Sequence, residues 1–183
     1  GHRQSGLSRS TLPRGRGRLF RAAVTCRNPL AMTGYLAVGR YRQTVVIGFL
    51  GTQLDGGQGT GRWERWRPTV SLVQHEELVV NRLELLHARQ HLRLAELVKA
   101  DIAAVSPETT VRLVPLDIRD PWDFGEVYGT LYDWTRDYPF DPERERYWAH
   151  ITTGTHVAQI CLFLMVEARF IPGVLLQTAP PRR

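Results

Sequence analysis

His150-Ile-Thr-Thr-Gly-Thr-His-Val-Ala-Gln-Ile160 reads as the end of a buried strand expected over 147–151, a turn of small hydroxylated residues around Gly154, and the start of a long apolar helix. Where a strand feeds a helix through such a turn, the first backbone N–H groups of the helix have no intrahelical partner, and the positive end of the helix dipole lies behind them. That arrangement is a socket for an anion. Thr152, Thr153 and Thr155 add hydroxyls that can donate to phosphate oxygens or cap the helix, and Gly154 allows a positive φ and close approach to a ligand. Capping alone explains the same residues without any ligand, so both readings stand at this point.

Outward from that turn the chain alternates strand and helix. Thr44-Val-Val-Ile-Gly-Phe-Leu50 is a continuous apolar run of strand length, suited to a strand covered on both faces. It runs into Gly51-Thr-Gln-Leu-Asp55 and a glycine cluster through Gly61. A first strand leading through a Gly-rich loop to a helix is where doubly wound folds hold ligands. The loop has no GxGxxG fingerprint and no P-loop lysine, and a flexible connection accounts for its glycines equally well. Pro68 suits the first turn of a helix expected over 68–77. Arg82-Leu-Glu-Leu-Leu-His87 reads as the second strand, 90–105 as an amphipathic helix stopped by Ser106-Pro107, and Thr110-Val-Arg-Leu-Val-Pro-Leu116 as a third strand whose Pro115 belongs near an end or an edge. Asp120-Pro-Trp-Asp-Phe124 is expected to open a helix with Asp120 as N-cap and Pro121 in first position, continuing to about 138. A last strand is expected over 173–177, closed by Pro180-Pro181. This order predicts an α/β fold: a doubly wound, mainly parallel sheet with helices on both faces.

The net charge of +6 suggests a nucleic-acid binder until the charges are located. Residues 1–43 hold nine arginines and no acid; residues 44–183 hold 15 basic against 18 acidic residues, a net of −3. The basicity therefore belongs to the leader, and any anion site in the folded part must be local. Rich in Arg, Gly and Ser and without periodicity, residues 1–43 are expected to be a disordered basic leader, with 44–183 as the single folded domain. Gly1-His2 resembles an expression-tag remnant, Met32 is a candidate internal start, and an RNA-binding arm is the other reading of the arginines. The leader lacks the apolar core of a secretory signal, no run approaches a membrane span, and Cys26 and Cys161 make no disulfide framework, so a cytoplasmic location is expected.

Two further stretches point to ligand and partner. Arg62-Trp-Glu-Arg-Trp-Arg67 interleaves cations and indoles, suited either to stacking on bases and gripping phosphates or to covering a core edge; Arg67, where loop meets helix, is the favoured ligand residue. From Val157 to Val166 only Gln159 is polar, so that helix lacks a solvated face. A twofold dimer through this helix is the simplest cover and would set two Thr-Gly-Thr turns side by side.

Taken together, Gly48-Phe-Leu-Gly-Thr52 with Asp55, Trp66-Arg-Pro-Thr69, Arg82-Leu-Glu-Leu-Leu-His87, Ser106-Pro-Glu-Thr109, Asp120-Pro-Trp-Asp-Phe124 and His150 through Cys161 resemble the N-terminal sensor domain of the RtcR family, over roughly residues 44–181. That family comprises bacterial enhancer-binding activators of an RNA-repair operon encoding RNA ligase and RNA 3′-terminal phosphate cyclase. The resemblance implies a CARF domain, a CRISPR-associated Rossmann fold that binds oligonucleotides across a dimer interface. It also implies an AAA+ ATPase and a DNA-binding domain beyond this chain, acting on polymerase bound to its alternative sigma factor. The implied signal is RNA ending in a 2′,3′-cyclic phosphate. The implied contacts are Gly51, Thr52 and Gln53, then Thr152, Thr153, Gly154, Thr155 and His156, with Arg67 and Gln177. No cofactor and no metal are expected, since six histidines and two cysteines show no ligand spacing.

An enzyme is the rival class. His150 and Thr152 form an HxT pair like those of phosphoesterases that use two such motifs, and some CARF relatives cleave cyclic oligonucleotide ligands. Only one HxT pair is present, and His156 has no evident carboxylate to orient it, so a sensor without catalysis of its own is the preferred reading. A passive dimerisation module is the third.

Overall fold

The computed structural model describes residues 18–22, 42–57, 59–75 and 77–180. Its strands are β1 (Arg18–Ala22), β2 (Gln43–Phe49), β3 (Arg82–Ala88), β4 (Thr110–Leu116), β5 (Glu145–His150) and β6 (Gly173–Ala179). Its helices are α1 (Pro68–Leu72), α2 (Leu92–Val105), α3 (Phe124–Asp137) and α4 (His156–Glu167), with short 3-10 turns at Thr60–Trp63 and Arg89–His91. The sheet order is β1-β6-β5-β2-β3-β4, with β2 to β6 all parallel and β1 antiparallel on the outer edge of β6. The chain moves from β2 outward to β3 and β4, then returns to β5 on the other side. The order therefore reverses between β2 and β5, which makes the crevice beyond their carboxyl ends the place for a ligand. This is the Rossmann-like α/β architecture expected from the strand and helix alternation.

Side-chain alternation in β2 divides the core. Val45, Ile47 and Phe49 pack with Leu131, Leu162 and Met165 from α3 and α4 on one face. Val46 and Leu50 pack with Leu72, Val98 and Ile102 from α1 and α2 on the other. A strand buried on both faces must be apolar throughout, which is why β2 reads as an unbroken run rather than an alternating one. The two ends of the sheet differ in chemistry. Ion pairs gather at the amino ends, where Arg82 bonds Glu145 at 2.7 Å and Glu84 at 2.8 Å, and Tyr138 donates to Glu84 at 2.7 Å. The carboxyl ends carry the cleft described below.

Several expectations need correction. Arg18–Ala22, inside the leader expected to be disordered, is a strand, because the outer edge of β6 offers a row of unpaired backbone groups that an extended segment can satisfy. Apart from Arg42 and Gln43, the rest of the leader, with Cys26 and Met32, lies outside the described residues. Helix α1 ends at Leu72 rather than 77, since 3-10-type bonds from Gln74 to Ser71 and from Leu78 to His75 turn the chain so that Leu78 and Val80 enter the core. Helix α3 starts at Phe124, capped by Asp123, whose side chain accepts from the Glu126 N–H at 2.7 Å. Asp120 instead holds a separate turn by accepting from the Trp122 N–H at 2.9 Å. Glu126 accepts from the Arg119 and Asp120 N–H groups at 2.7 and 3.2 Å, so the preceding turn is held against the helix and the Asp123 cap prevails over the Asp-Pro pair. Pro115 sits next to the end of β4, the edge strand, as its missing N–H requires. No helix among the described residues is long and apolar enough to cross a membrane.

Candidate functional site

A cavity of about 420 Å3 opens at the switch point, lined by the segments that follow β2, β3 and β5 and by the turn before α3. Eight of the ten residues singled out from sequence meet there: Gly51, Thr52, Gln53, Thr152, Thr153, Gly154, Thr155 and His156. The lining contains three histidines and no Asp, Glu, Lys or Arg. Negative charge therefore meets no carboxylate and no Lys or Arg in the lining, and attraction falls to backbone dipoles and polar side chains.

The turn after β5 is built so that its hydroxyls are already spent. Thr153, buried, donates to the Phe49 carbonyl at 2.5 Å and so ties the turn to the end of β2. Thr152 accepts from the Thr178 N–H at 2.7 Å and donates to the Thr178 carbonyl at 3.3 Å, tying it to β6. Thr155 caps α4, accepting from the Ala158 N–H at 3.1 Å and donating to the Pro121 carbonyl at 2.8 Å. The three threonines thus brace the turn, and donation to a ligand falls to the backbone. With Ala158 capped, the N–H groups of His156 and Val157 are the ones left without intrahelical partners, at the positive end of a 12-residue helix. Gly154 has φ 92°, and a Cβ there would lie 3.0 Å from Phe49 Cβ and 3.2 Å from Ala158 Cβ. Only glycine lets the turn fold this closely over β2.

The opposite lip, Gly51 to Asp55, is held from behind. Asp55 is fully buried; its carboxylate accepts from Gly51 N–H at 2.9 Å, Thr69 N–H at 3.0 Å and the Thr69 hydroxyl at 2.5 Å. Burial pushes this carboxyl above its ordinary range, and the bonds from Thr69 and Gly51 work against that shift. Arg67 donates to the Asp55 carbonyl at 3.0 Å and to Asp101 at 2.6 Å, while Arg62 forks onto Asp101 with two bonds of 2.9 Å. Burial alone would raise the Asp101 carboxyl, but the hydrogen bonds from Arg62 and Arg67 hold it below its usual range. Both guanidiniums also lie over Trp63, at 5.3 and 5.9 Å from its ring. The Arg-Trp segment therefore covers a core edge and locks the loop. Arg67, expected at the ligand, is buried and does not line the cavity; its charge is used inside the fold. Gln177, also expected there, projects from β6 opposite Phe20, exposed and away from the cleft.

His150 is 1% exposed and does not line the cavity. Its Nε2 meets the Thr178 hydroxyl at 2.9 Å, and that hydroxyl donates to Thr152 Oγ1 at 3.2 Å. Burial lowers its pKa to about 4, so the ring is neutral near pH 7. His150 is thus sealed behind the turn, while Thr152, the other member of the HxT pair, lines the cavity with its hydroxyl engaged by Thr178. No group of His, Cys, Asp and Glu among the described residues is arranged to hold a metal ion.

Sequence reasoning missed the third side of the cleft: His87, Gln90 and His91 at the end of β3, and Pro121 and Trp122 from the turn before α3. The available signal was positional, since His87 ends a strand adjacent to the switch point; it read as core because its neighbours Leu85 and Leu86 are core.

Three comparisons bear on this architecture. One solved structure, Enterococcus italicus Csm6 bound to cyclic hexa-2′-fluoro-hexa-dAMP, matches with a TM-score of 0.53 at 13% identity, over 78% of this chain and 35% of that one. Another, Can2 from Sulfobacillus thermosulfidooxidans in complex with cyclic tetra-adenylate, gives a TM-score of 0.44 at 12% identity, over 69% of this chain and 30% of that one. The former likeness supports the fold alone, a Rossmann-like α/β domain. In sequence, the chain is 56% identical over 143 residues to the transcriptional regulatory protein RtcR of Escherichia coli (strain K12), covering 78% of this chain but only 27% of that protein. The model of the RtcR family, regulator of RNA terminal phosphate cyclase, matches residues 42–183, a span that takes in all five parallel strands and every wall of the cleft. The chain that folds this turn over this switch point belongs to the RtcR family.

Proposed function

We propose that this chain is the ligand-sensing domain of a bacterial transcriptional activator, and that its cleft binds RNA ends bearing a 2′,3′-cyclic phosphate. The observation that carries the reading is the braced turn Thr152 to Thr155: its hydroxyls are engaged internally, leaving backbone amides at the head of α4 facing a cleft without carboxylates. A cyclic phosphate is a compact monoanion that such amides bind without a cation. Gly51, Thr52 and Gln53 form the facing lip, and the apolar remainder of the cleft suits a nucleotide base. Arg67 contributes by fixing that lip, not by touching the ligand.

As a domain covering 27% of its E. coli relative, it would act through parts beyond this chain: an AAA+ ATPase, a DNA-binding domain, and polymerase carrying the alternative sigma factor. The regulated genes would be those for RNA ligase and RNA 3′-terminal phosphate cyclase, and the location cytoplasmic. Binding alters output only if the ligand favours one arrangement over another. A homodimer through α4 supplies two arrangements: Ile160 is 51% and Phe163 40% exposed, with Phe170 packed edge-on against Tyr132 at 4.9 Å beside them. Exposed apolar surface of this kind is normally covered.

The fold shared with Csm6 makes a cyclic oligonucleotide the competing ligand, with slow cleavage as the competing activity. Binding without catalysis is favoured because His150 is sealed against Thr178 and the lining offers no carboxylate to orient His156. Calorimetry with matched short RNAs ending in a 2′,3′-cyclic phosphate or a 3′-hydroxyl, and with a cyclic oligoadenylate, decides among these. Tighter binding of the cyclic-phosphate RNA, recovered intact, is the expected result. Cleavage of any ligand makes the domain a nuclease, and preference for the cyclic oligonucleotide overturns the RNA-end reading.

A further inference from the structure

His87 is 2% exposed, lines the cleft, and has an Nε2 with no hydrogen-bond partner in the protein. Its Nδ1 lies 2.9 Å from the Ala88 carbonyl oxygen. A carbonyl only accepts, so Nδ1 carries the proton; in the neutral ring Nε2 is then a bare acceptor. Buried acceptors are nearly always satisfied, and one left unpaired in a residue of the cleft wall is explained by a donor that arrives with the ligand.

The position of that acceptor limits what the donor can be. The braced turn follows β5, His87 lies on β3, and β2 runs between them. Strands are spaced about 4.8 Å apart, so the two features are on the order of 10 Å from each other. A terminal phosphate and the hydroxyls of its own ribose lie too close together to bridge that span. The edge of the attached base reaches it. Leu50, Leu86 and Ile118 line the same cleft, and Trp122 stands at its rim, so a flat ring meets apolar walls on the way.

We infer that His87 is a specificity-determining residue that accepts a hydrogen bond from the exocyclic amine of adenine or cytosine, at purine position 6 or pyrimidine position 4. Guanine and uracil present a carbonyl oxygen there, which sets lone pair against lone pair. The inference rests on the RNA-end reading above and adds to it the identity of the terminal base.

The test is binding of matched short RNAs with a terminal 2′,3′-cyclic phosphate whose last base is A, C, G or U, plus one ending in purine riboside, which lacks the amine. The proteins are the unaltered chain, His87→Phe, which removes the acceptor, and His87→Gln, which keeps one. The unaltered chain is expected to bind the A end, the C end or both on the order of tenfold more tightly than G, U and purine riboside, the A and C arms showing which amine is read. His87→Phe is expected to lose that preference while still favouring cyclic phosphate over 3′-hydroxyl, and His87→Gln to keep part of it. Equal binding of all bases, a preference for G or U, purine riboside equal to A where A is preferred, or a preference that survives in His87→Phe overturns the assignment and leaves the RNA-end reading intact. Failure of every RNA to bind overturns both. If His87→Phe does not fold, the purine riboside comparison and His87→Gln decide alone.

Discussion

Two histidines lie at the carboxyl ends of β5 and β3, both almost wholly buried, and only one of them lines the cleft. His150 on β5 has its Nε2 bonded to Thr178 and lies behind the turn; His87 on β3 has its Nε2 open and lines the cavity. In the sequence, His150 attracts attention because it begins the HxT pair, whereas His87 looks like the last residue of a core strand. Burial does not separate them. What separates them is whether the polar atom has been spent inside the fold. The same division runs through the whole site: Nε and Nη1 of Arg67, the Asp55 carboxylate and the hydroxyls of Thr152, Thr153 and Thr155 are spent, whereas His87 Nε2 in the cleft wall and Arg67 Nη2 inside the fold have no protein partner, and the first amides of α4 have none within the helix. Spent groups should govern stability and unspent groups ligand choice.

Arg67 tests that division most severely. Arg67→Ala removes one partner of a buried ion pair and is expected to cost about 3–5 kcal/mol, read as a lower denaturation midpoint without ligand. If stability were unchanged while RNA binding vanished, Arg67 would have to move to the ligand side. His150 gives the next largest effect. Its folded pKa of about 4 lies below the unfolded value of 6.5, so the unfolded chain takes up the extra proton first. Stability from this group is full above pH 6.5 and is lost as pH falls toward 4, to an extent of about 3 kcal/mol. His150→Gln should flatten the stability profile over that window, and equal profiles in the two proteins would contradict the sealed, neutral ring.

Thr153→Val keeps the shape and deletes the bond to the Phe49 carbonyl, for an expected loss of about 1 kcal/mol in unfolding free energy. Its binding constant should change little, because the amides remain in place. The smallest effect is expected at His87: His87→Phe removes an unsatisfied buried acceptor together with the Nδ1 bond to the Ala88 carbonyl, opposing changes that should leave the unliganded stability within about 1 kcal/mol of the original. A loss of several kcal/mol would place His87 among the groups that govern stability and break the division.

Much of this fold was legible because local and global signals agree. The unbroken apolar run of β2, the amphipathic α2 and the Thr-Gly-Thr turn each fix an element and also its place in a doubly wound sheet. The failures occurred where two local signals competed. Asp123 with Glu126 made a better cap than Asp120 with Pro121, and that shift freed Pro121 and Trp122 to form the cleft rim. In the cleft, the Thr-Gly-Thr turn was legible from its residues and the Gly51 to Gln53 lip from the family resemblance; at Gly51 a Cβ would lie 2.8 Å from Asp55 and 2.9 Å from Thr153, which accounts for the glycine. Arg67 was misplaced because a guanidinium suits a phosphate or a buried carboxylate equally well, and only the fold reveals that Asp101 claims it. His87 was passed over because whether a ring nitrogen is satisfied depends on contacts that no spacing encodes.

The central claim is that the amides of the braced turn receive the anionic end of the ligand. Backbone amide chemical shifts followed by NMR during titration with cyclic-phosphate RNA test it most directly. The largest changes are predicted at Gly154, Thr155, His156 and Val157, with smaller ones at Gly51 to Gln53, and none of that pattern for RNA ending in a 3′-hydroxyl. Changes centred on Arg62 to Arg67 or on the outer face of α4, with the turn unmoved, would contradict the account.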